Sequence, residues 1–411
     1  MIRVGVWLIY AAWLAAGATP TDADRARARI RATLFVPEPL PLLAAESYGS
    51  FEPAPGVTAE RVTYATEFGM RVPAIVYSPK VRGGKMPALI VVNGHGGDKY
   101  SWYAYYAGIL YARAGAVVLT YDPAGEGERN AQRKSGTRQH DRVITPLPEM
   151  ALRLAGLMQT DLIEAVSYLR SRKDVDSERI AALGHSMGSF VVALGCAVET
   201  RLKVCVLTGG GNLDGPGEYW DTGIKQMCQG IPYKSLMFLG DRGAAIYDLH
   251  ASRGPTLIYN GLADTEVAIS PRGKPFFDDL HKRTIALHGS ERNVFDYDFD
   301  ASGGHRPYFV GKPVALWLER QLHFPNWTAE SIGQMPETLA ATWAERNGAS
   351  LAPETSRFEG AGGTRALDAG VPAIEHELLN ALSVEQWEGQ KDRLVYETWV
   401  KESLARTQNR P

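Results

Sequence analysis

Gly184-His185-Ser186-Met187-Gly188 sets one serine between two glycines, where the strand-like run ERIAAL gives way to the helical run SFVVAL. A sharp strand-to-helix turn lifts a serine oxygen above a sheet edge, and flanking glycines let the backbones approach. A hydroxyl is a weak nucleophile and needs a base. Among nine histidines, His305 follows the last predicted strand in Ser302-Gly303-Gly304-His305, at the same sheet edge as Ser186. His288 precedes that strand and belongs to the opposite edge, and the His185 ring is expected to point away from Ser186. The base in turn needs a carboxylate to hold its tautomer. Asp264, just after the strand TLIYNG, is the expected acid, with Glu266 and Asp241 as alternatives. The chemistry of such a set is acyl transfer through a covalent intermediate, whose oxyanion needs donors. The expected donors are the backbone N–H of Met187 and that of His95 in Asn93-Gly94-His95-Gly96-Gly97, with Gly96 as the alternative for the second. The His95 side chain is expected to pack under its loop. No spacing resembles a metal-ligand set, and the chemistry calls for no cofactor and no metal.

The elements around these residues alternate. The runs RVTYATEF and RVPAIVYSP, separated at Gly69, read as an antiparallel hairpin. PALIVVNG, AVVLTYD, ERIAALGHS, LKVCVLTGGG, PTLIYNG and NVFDYDFD read as strands. The apolar character of PALIVVNG suits a strand covered on both faces. Helical runs fall between them: SWYAYYAGILYARAGA, LMQTDLIEAVSYLRSR, SMGSFVVALGCAVET and PFFDDLHKR, with KPVALWLERQLH last. Strand-helix alternation means an α/β fold, a mostly parallel sheet with helices on both faces. Ligands in such sheets sit outside the carboxyl ends of the strands, where the three candidate residues fall. Two long connections, Arg129 to Glu149 and Asn212 to Tyr247, break the rhythm and are candidates for pocket walls. The turn from Tyr121 to Glu128 reads either as pocket floor or as a Gly-rich turn facing water. Trp102 and Trp220 are candidate sugar platforms, against the commoner structural role.

With 411 residues, 45% of them hydrophobic, the chain can bury a large core. A net charge of -2 without a basic stripe argues against nucleic-acid binding. Residues 1–18 read as a signal peptide. Arg3 precedes an apolar run that ends in Ala16-Gly17-Ala18, too short to span a bilayer comfortably. The expected product is secreted or periplasmic, with no membrane span in the mature chain. Residues 19–59 read as an N-terminal arm, a polar helical patch TDADRARARIRATL followed by a Pro-rich stretch lying extended on the surface, 60–325 as the catalytic domain and 326–411 as a helical C-terminal extension packed on the core. That extension is charged, yet it carries Trp327, Trp343, Trp387 and Trp399. Cys196 and Cys205 are expected to be small buried apolar residues, and whether any disulfide forms among the three cysteines is not legible.

The GHSMG turn, the NGHGG loop, DPAGEGER and GGHRPYF together resemble the acetylxylan-esterase-like and dienelactone-hydrolase-like branch of the α/β hydrolases, over roughly Glu60 to His323. The resemblance implies an α/β-hydrolase fold and a serine carboxylesterase without cofactor, acting on a small-molecule or polysaccharide ester. Two positions depart from the pattern. Asn93-Gly94 stands where His-Gly is usual, and Ser186 where dienelactone-type enzymes have cysteine. The Cys-Ser-Arg pattern of glucuronoyl esterases is missing. Rival readings are a serine exopeptidase of the prolyl-oligopeptidase type and a non-catalytic binding protein on the same scaffold. The hundred or so residues before the sheet are too few for the propeller such peptidases carry. Acyl and alcohol specificity and oligomeric state are not legible in the sequence.

Overall fold

The computed structural model describes residues 21–408, except 82, 138, 145, 224–226, 268, 289–295 and 352–361. The expected signal peptide lies outside the described residues. Nine strands form one sheet: β1 (Glu46–Ala54), β2 (Val57–Ala65), β3 (Arg71–Pro79), β4 (Met86–Val92), β5 (Val117–Tyr121), β6 (Val175–His185), β7 (Val204–Thr208), β8 (Thr256–Gly261) and β9 (Asp296–Asp300). Their order is β1-β2-β3-β5-β4-β6-β7-β8-β9. The pairs from β1 to β5 are antiparallel, and every pair from β5 through β9 is parallel. This is the α/β-hydrolase arrangement, with the antiparallel hairpin at its start.

Successive side chains of a strand point to opposite faces, and the two faces carry separate cores. Ile90 and Val92 of β4 join one core with the helices Glu149–Ser171 and Met187–Val198. Leu89 and Val91 join the other, with the helices Trp102–Ala114 and Lys312–Leu322. Gly115 ends the helix Trp102–Ala114 at φ 97°, a left-handed cap that turns the chain into β5.

Two features differ from the sequence reading. The polar run after residue 20 forms the expected helix, Asp22–Thr33, while the Pro-rich arm that follows, expected to lie extended across the surface, supplies the edge strand β1. Most of β1 is exposed or half-exposed, so it shows no apolar alternation, and an edge strand tolerates its Pro53. Second, Cys196 and Cys205 form a disulfide between the helix Met187–Val198 and β7, with Cα atoms 6.7 Å apart. The helix packs back onto the strand that follows it, which brings two cysteines nine residues apart into register. Trp102 and Trp220 take the commoner structural role, as core residues rather than sugar platforms. Trp102 lies edge-on to Tyr106 and near Trp343, while Trp220 stacks on Phe190 and donates its indole N–H to the Asn212 carbonyl.

Both ends of the described chain serve the sheet. Arg27 donates to the carbonyls of Ala197 and Leu249, and Arg31 to that of Val198. Guanidinium groups thereby satisfy the last carbonyls of the helix that begins after Ser186. In the C-terminal segment, Trp343 and Leu367 complete one core and Tyr396 and Trp399 the other. Leu382, Trp387 and Leu394 form a third, smaller cluster. The turn after β5 anchors this segment rather than flooring a pocket. Buried Lys99 pairs with Asp122 and Glu128, and the Glu128 carboxylate accepts from the backbone N–H of Ala381 (2.7 Å) and Leu382 (3.0 Å). The Trp387 indole donates to the Glu128 carbonyl at 2.8 Å.

Candidate active site

Ser186 sits between the last residue of β6 and the first of the helix Met187–Val198, with φ 55° and ψ -119°. A non-glycine residue at positive φ is strained and persists only where its surroundings hold it. Here they do. The Ser186 N–H donates to the Thr208 carbonyl at 2.9 Å, and its carbonyl accepts from the Ser189 N–H at 2.9 Å. The two glycines of the motif have steric causes. A Cβ on Gly184 would lie 2.5 Å from the Gly188 oxygen, and one on Gly188 would lie 2.1 Å from the Val92 oxygen. The turn is therefore folded so tightly on itself at Gly184, and against the end of β4 at Gly188, that only glycine fits at either position.

Asp264 and His305 come from the loops after β8 and β9. Backbone bonds lace these loops together: Leu262 donates to Asp300, and Ala263 to Gly303, each at 2.9 Å. One Asp264 oxygen lies 2.8 Å from His305 Nδ1. The other accepts from the N–H groups of Glu266 (2.8 Å) and Val267 (3.1 Å). Asp264 is fully buried and His305 nearly so. A carboxylate with both oxygens engaged fixes the imidazole tautomer, leaving Nε2 as the basic nitrogen. The alternatives fall elsewhere. The Glu266 side chain is exposed, while Asp241 pairs with Arg283 at 2.6 Å and caps the helix Arg242–Ala251. His288 lies 3.7 Å from Asp248.

The strained turn and the acid–base pair meet through Gly209. A Cβ there would fall 2.9 Å from His305 Cε1 and 3.2 Å from His185 Cε1. The His185 ring is 4.9 Å from that of His305 and edge-on to Tyr103 at 5.3 Å. Burial, reinforced by His305 beside it, pushes the His185 pKa well below the usual imidazole value. His185 therefore stays neutral and adds no charge beneath the pair.

The loop Asn93–Gly97 closes the other side, with a Cβ on Gly94 falling 3.0 Å from Ser186 Cβ. Met187 opens its helix, where first-turn N–H groups have no intrahelical acceptor and carry the positive end of the helix dipole. The backbone of His95 follows Gly94 in the loop. Its side chain does not pack under the loop: Nε2 lies 3.0 Å from the sulfur of Cys228, and the ring stacks on that of His140. Sequence reasoning missed this gathering because His95 and Cys228 are 133 residues apart.

Residues 50–208 match the acetyl xylan esterase family model, and residues 150–332 match that of the prolyl oligopeptidase family. Among curated proteins, a thiohydrolase, apmlB, of Arthrinium phaeospermum is 24% identical over 244 residues, 56% of this chain and 72% of the relative. A relative from Bacillus subtilis (strain 168) is 29% identical over 150 residues, 33% of this chain and only 47% of its own length. Among solved structures, the methylesterase BT1017 superposes with a TM-score of 0.53 at 18% identity, covering 93% of this chain and 75% of its own. Acetyl xylan esterase 1 from Thermoanaerobacterium sp. JW/SL YS485 does so with a TM-score of 0.50 at 18% identity, covering 74% and 94%. At these identities the structural likeness speaks for the fold.

Proposed function

We propose that this chain, an α/β hydrolase of the acetylxylan-esterase-like family, is an exported serine carboxylic-ester hydrolase that acts on esterified carbohydrate. The observation that carries the reading is the 2.8 Å Asp264–His305 pair beside a serine in a strained strand-to-helix turn. In this mechanism Ser186 Oγ attacks the ester carbonyl while His305 Nε2 takes its proton. The tetrahedral oxyanion is held by the N–H groups of Met187 and His95. Collapse expels the alcohol, which takes the proton from His305 and leaves an acyl group on Ser186. Water, deprotonated by His305, then attacks the acyl-enzyme and releases the acid, with Ser186 regaining its proton. Asp264 stabilises the imidazolium throughout. No step needs a cofactor.

Export is supported by the apolar leader ending in Ala16-Gly17-Ala18 and by the Cys196–Cys205 disulfide, which persists in oxidising compartments. The carbohydrate ester is supported by the family match alone. A peptidase reading draws on the second family match, which covers the half of the chain that carries all three residues. One panel separates these readings: acetyl, feruloyl, methyl-glucuronoyl and longer acyl esters, a thioester and a peptide anilide. Hydrolysis of acetylated sugar with no anilide cleavage is expected, together with covalent labelling of Ser186 by a fluorophosphonate. Labelling at another residue, or anilide cleavage exceeding that of every ester, refutes the proposal.

A further inference from the structure

Three segments far apart in the chain meet beside the strained turn. The loop Asn93–Gly97 brings His95, the helix Gln139–Ile144 brings His140 and Asp141, and the helix Met227–Ser235 brings Cys228. One ligating atom from each of these four side chains lies within 4.8 Å of all the others. His95 Nε2 is 3.0 Å from Cys228 Sγ, and His140 Nε2 is 3.5 Å from Asp141 Oδ1. The two imidazole rings lie 5.2 Å apart with planes 17° from parallel. His140 and Cys228 are buried, while His95 and Asp141 are half-buried. Cys228 is also the cysteine left outside the Cys196–Cys205 disulfide.

We infer that His95, His140, Asp141 and Cys228 form a binding site for a zinc-class divalent ion. The donor set argues for that class. A thiolate with two imidazoles suits zinc and its neighbours, whereas calcium and magnesium take oxygen ligands. The spacing agrees. Bonds of about 2.0–2.3 Å to nitrogen, oxygen and sulfur give tetrahedral edges of roughly 3.3–3.6 Å. They also place two ligating imidazole centroids roughly 5 Å apart. The observed 3.0, 3.5 and 5.2 Å lie close to these values, and the remaining pairs of ligating atoms, all within 4.8 Å, need to draw in by about 1 Å at most. A plain thiol–imidazole contact would involve two of these residues and gives no reason for the other two. The backbones are already in contact as well, since the Gly136 N–H donates to the Gly96 carbonyl at 2.9 Å. An ion here ties the loop that bears His95 to both long connections, giving those connections a common anchor.

Cobalt reports the site without any substrate. The full chain, stripped with a chelator and kept oxidised, is titrated with Co²⁺ and followed by absorption. With Cys196 and Cys205 bonded, a thiolate-to-cobalt charge-transfer band can arise only from Cys228. The expected result is one equivalent bound, with that band and tetrahedral d–d absorption, both abolished by stoichiometric Zn²⁺. Cys228→Ser should remove the charge-transfer band, and His140→Ala should weaken binding by on the order of 100-fold. No thiolate band in the wild-type chain, or unchanged cobalt binding by both variants, overturns the site. The wild-type spectrum decides the matter even if a variant fails to fold. Because no ester is turned over, a negative result leaves the hydrolase proposal standing.

Discussion

Ser186 holds a backbone conformation that serine does not choose alone, and the surroundings that enforce it are two flanking glycines with no room for a Cβ and two backbone bonds. None of these involves the hydroxyl. Ser186→Ala should therefore fold normally, keep its melting temperature and lose turnover by about 10⁴-fold or more. Wild-type rates in a pure preparation would remove Ser186 from the mechanism. His305→Ala should be as severe, and the double variant scarcely worse, because the two groups act as one unit. Multiplying effects would mean that they act separately. Asp264→Asn keeps the shape but gives the imidazole a donor where it needs an acceptor, so kcat should fall by about 10⁴-fold with little change in KM. Glu266 bonds to Asp264 through its backbone, so Glu266→Gln should stay within a fewfold of wild type. The reverse ranking would transfer the acid role to Glu266.

At the scale of elements, Glu67 couples the turn before β3 to the final helix, Tyr396–Gln408. Its carboxyl is buried, accepts from the Trp399 indole at 3.0 Å and touches Thr160 at 3.2 Å. Burial is the main cause that raises its pKa to about 7 from the usual 4.5. Folded chains therefore keep a proton there that unfolded chains lose across that window. The associated stability, on the order of 2–3 kcal/mol, is full below the unfolded pKa and is lost as pH rises through about 7. Thermal melts of wild type and Glu67→Gln from pH 5 to 8 should diverge, the wild type falling by roughly 2–4 °C relative to the variant. Parallel curves would mean that Glu67 is ionised throughout. The same scale shows what could be read from sequence. Asp264 and His305 were legible because strand-helix alternation alone assigns the ends of β8 and β9 to one sheet edge. β1 was not, since an exposed edge strand loses the alternation that marks a half-buried one. The Lys99–Asp122–Glu128 network looked like a solvent-facing or pocket turn because its partners, Ala381 and Leu382, offer only backbone N–H groups, which leave no trace in residue type.

Over the whole molecule, the segment after Asn326 is divided between both cores and a cluster of its own. It contributes none of the three candidate catalytic residues. Ending the chain at Asn326 would bare Trp102, Tyr105 and Tyr106 on one face and the Glu67 turn on the other. It would also leave Glu128 buried against absent amides. The expected product is insoluble, or melts lower by roughly 10 °C or more, with Ser186, Asp264 and His305 still present. A truncated chain as soluble and as heat-resistant as the full one would show the segment to be independent. The Glu67–Trp399 contact also sets a clock. Its partners are 332 residues apart, and chains grow at about 5–20 residues per second, so the β2–β3 turn waits roughly twenty seconds to a minute for its cover. During that interval the buried carboxyl of Glu67 has no indole over it, and the apolar surface around the turn is open to a chaperone.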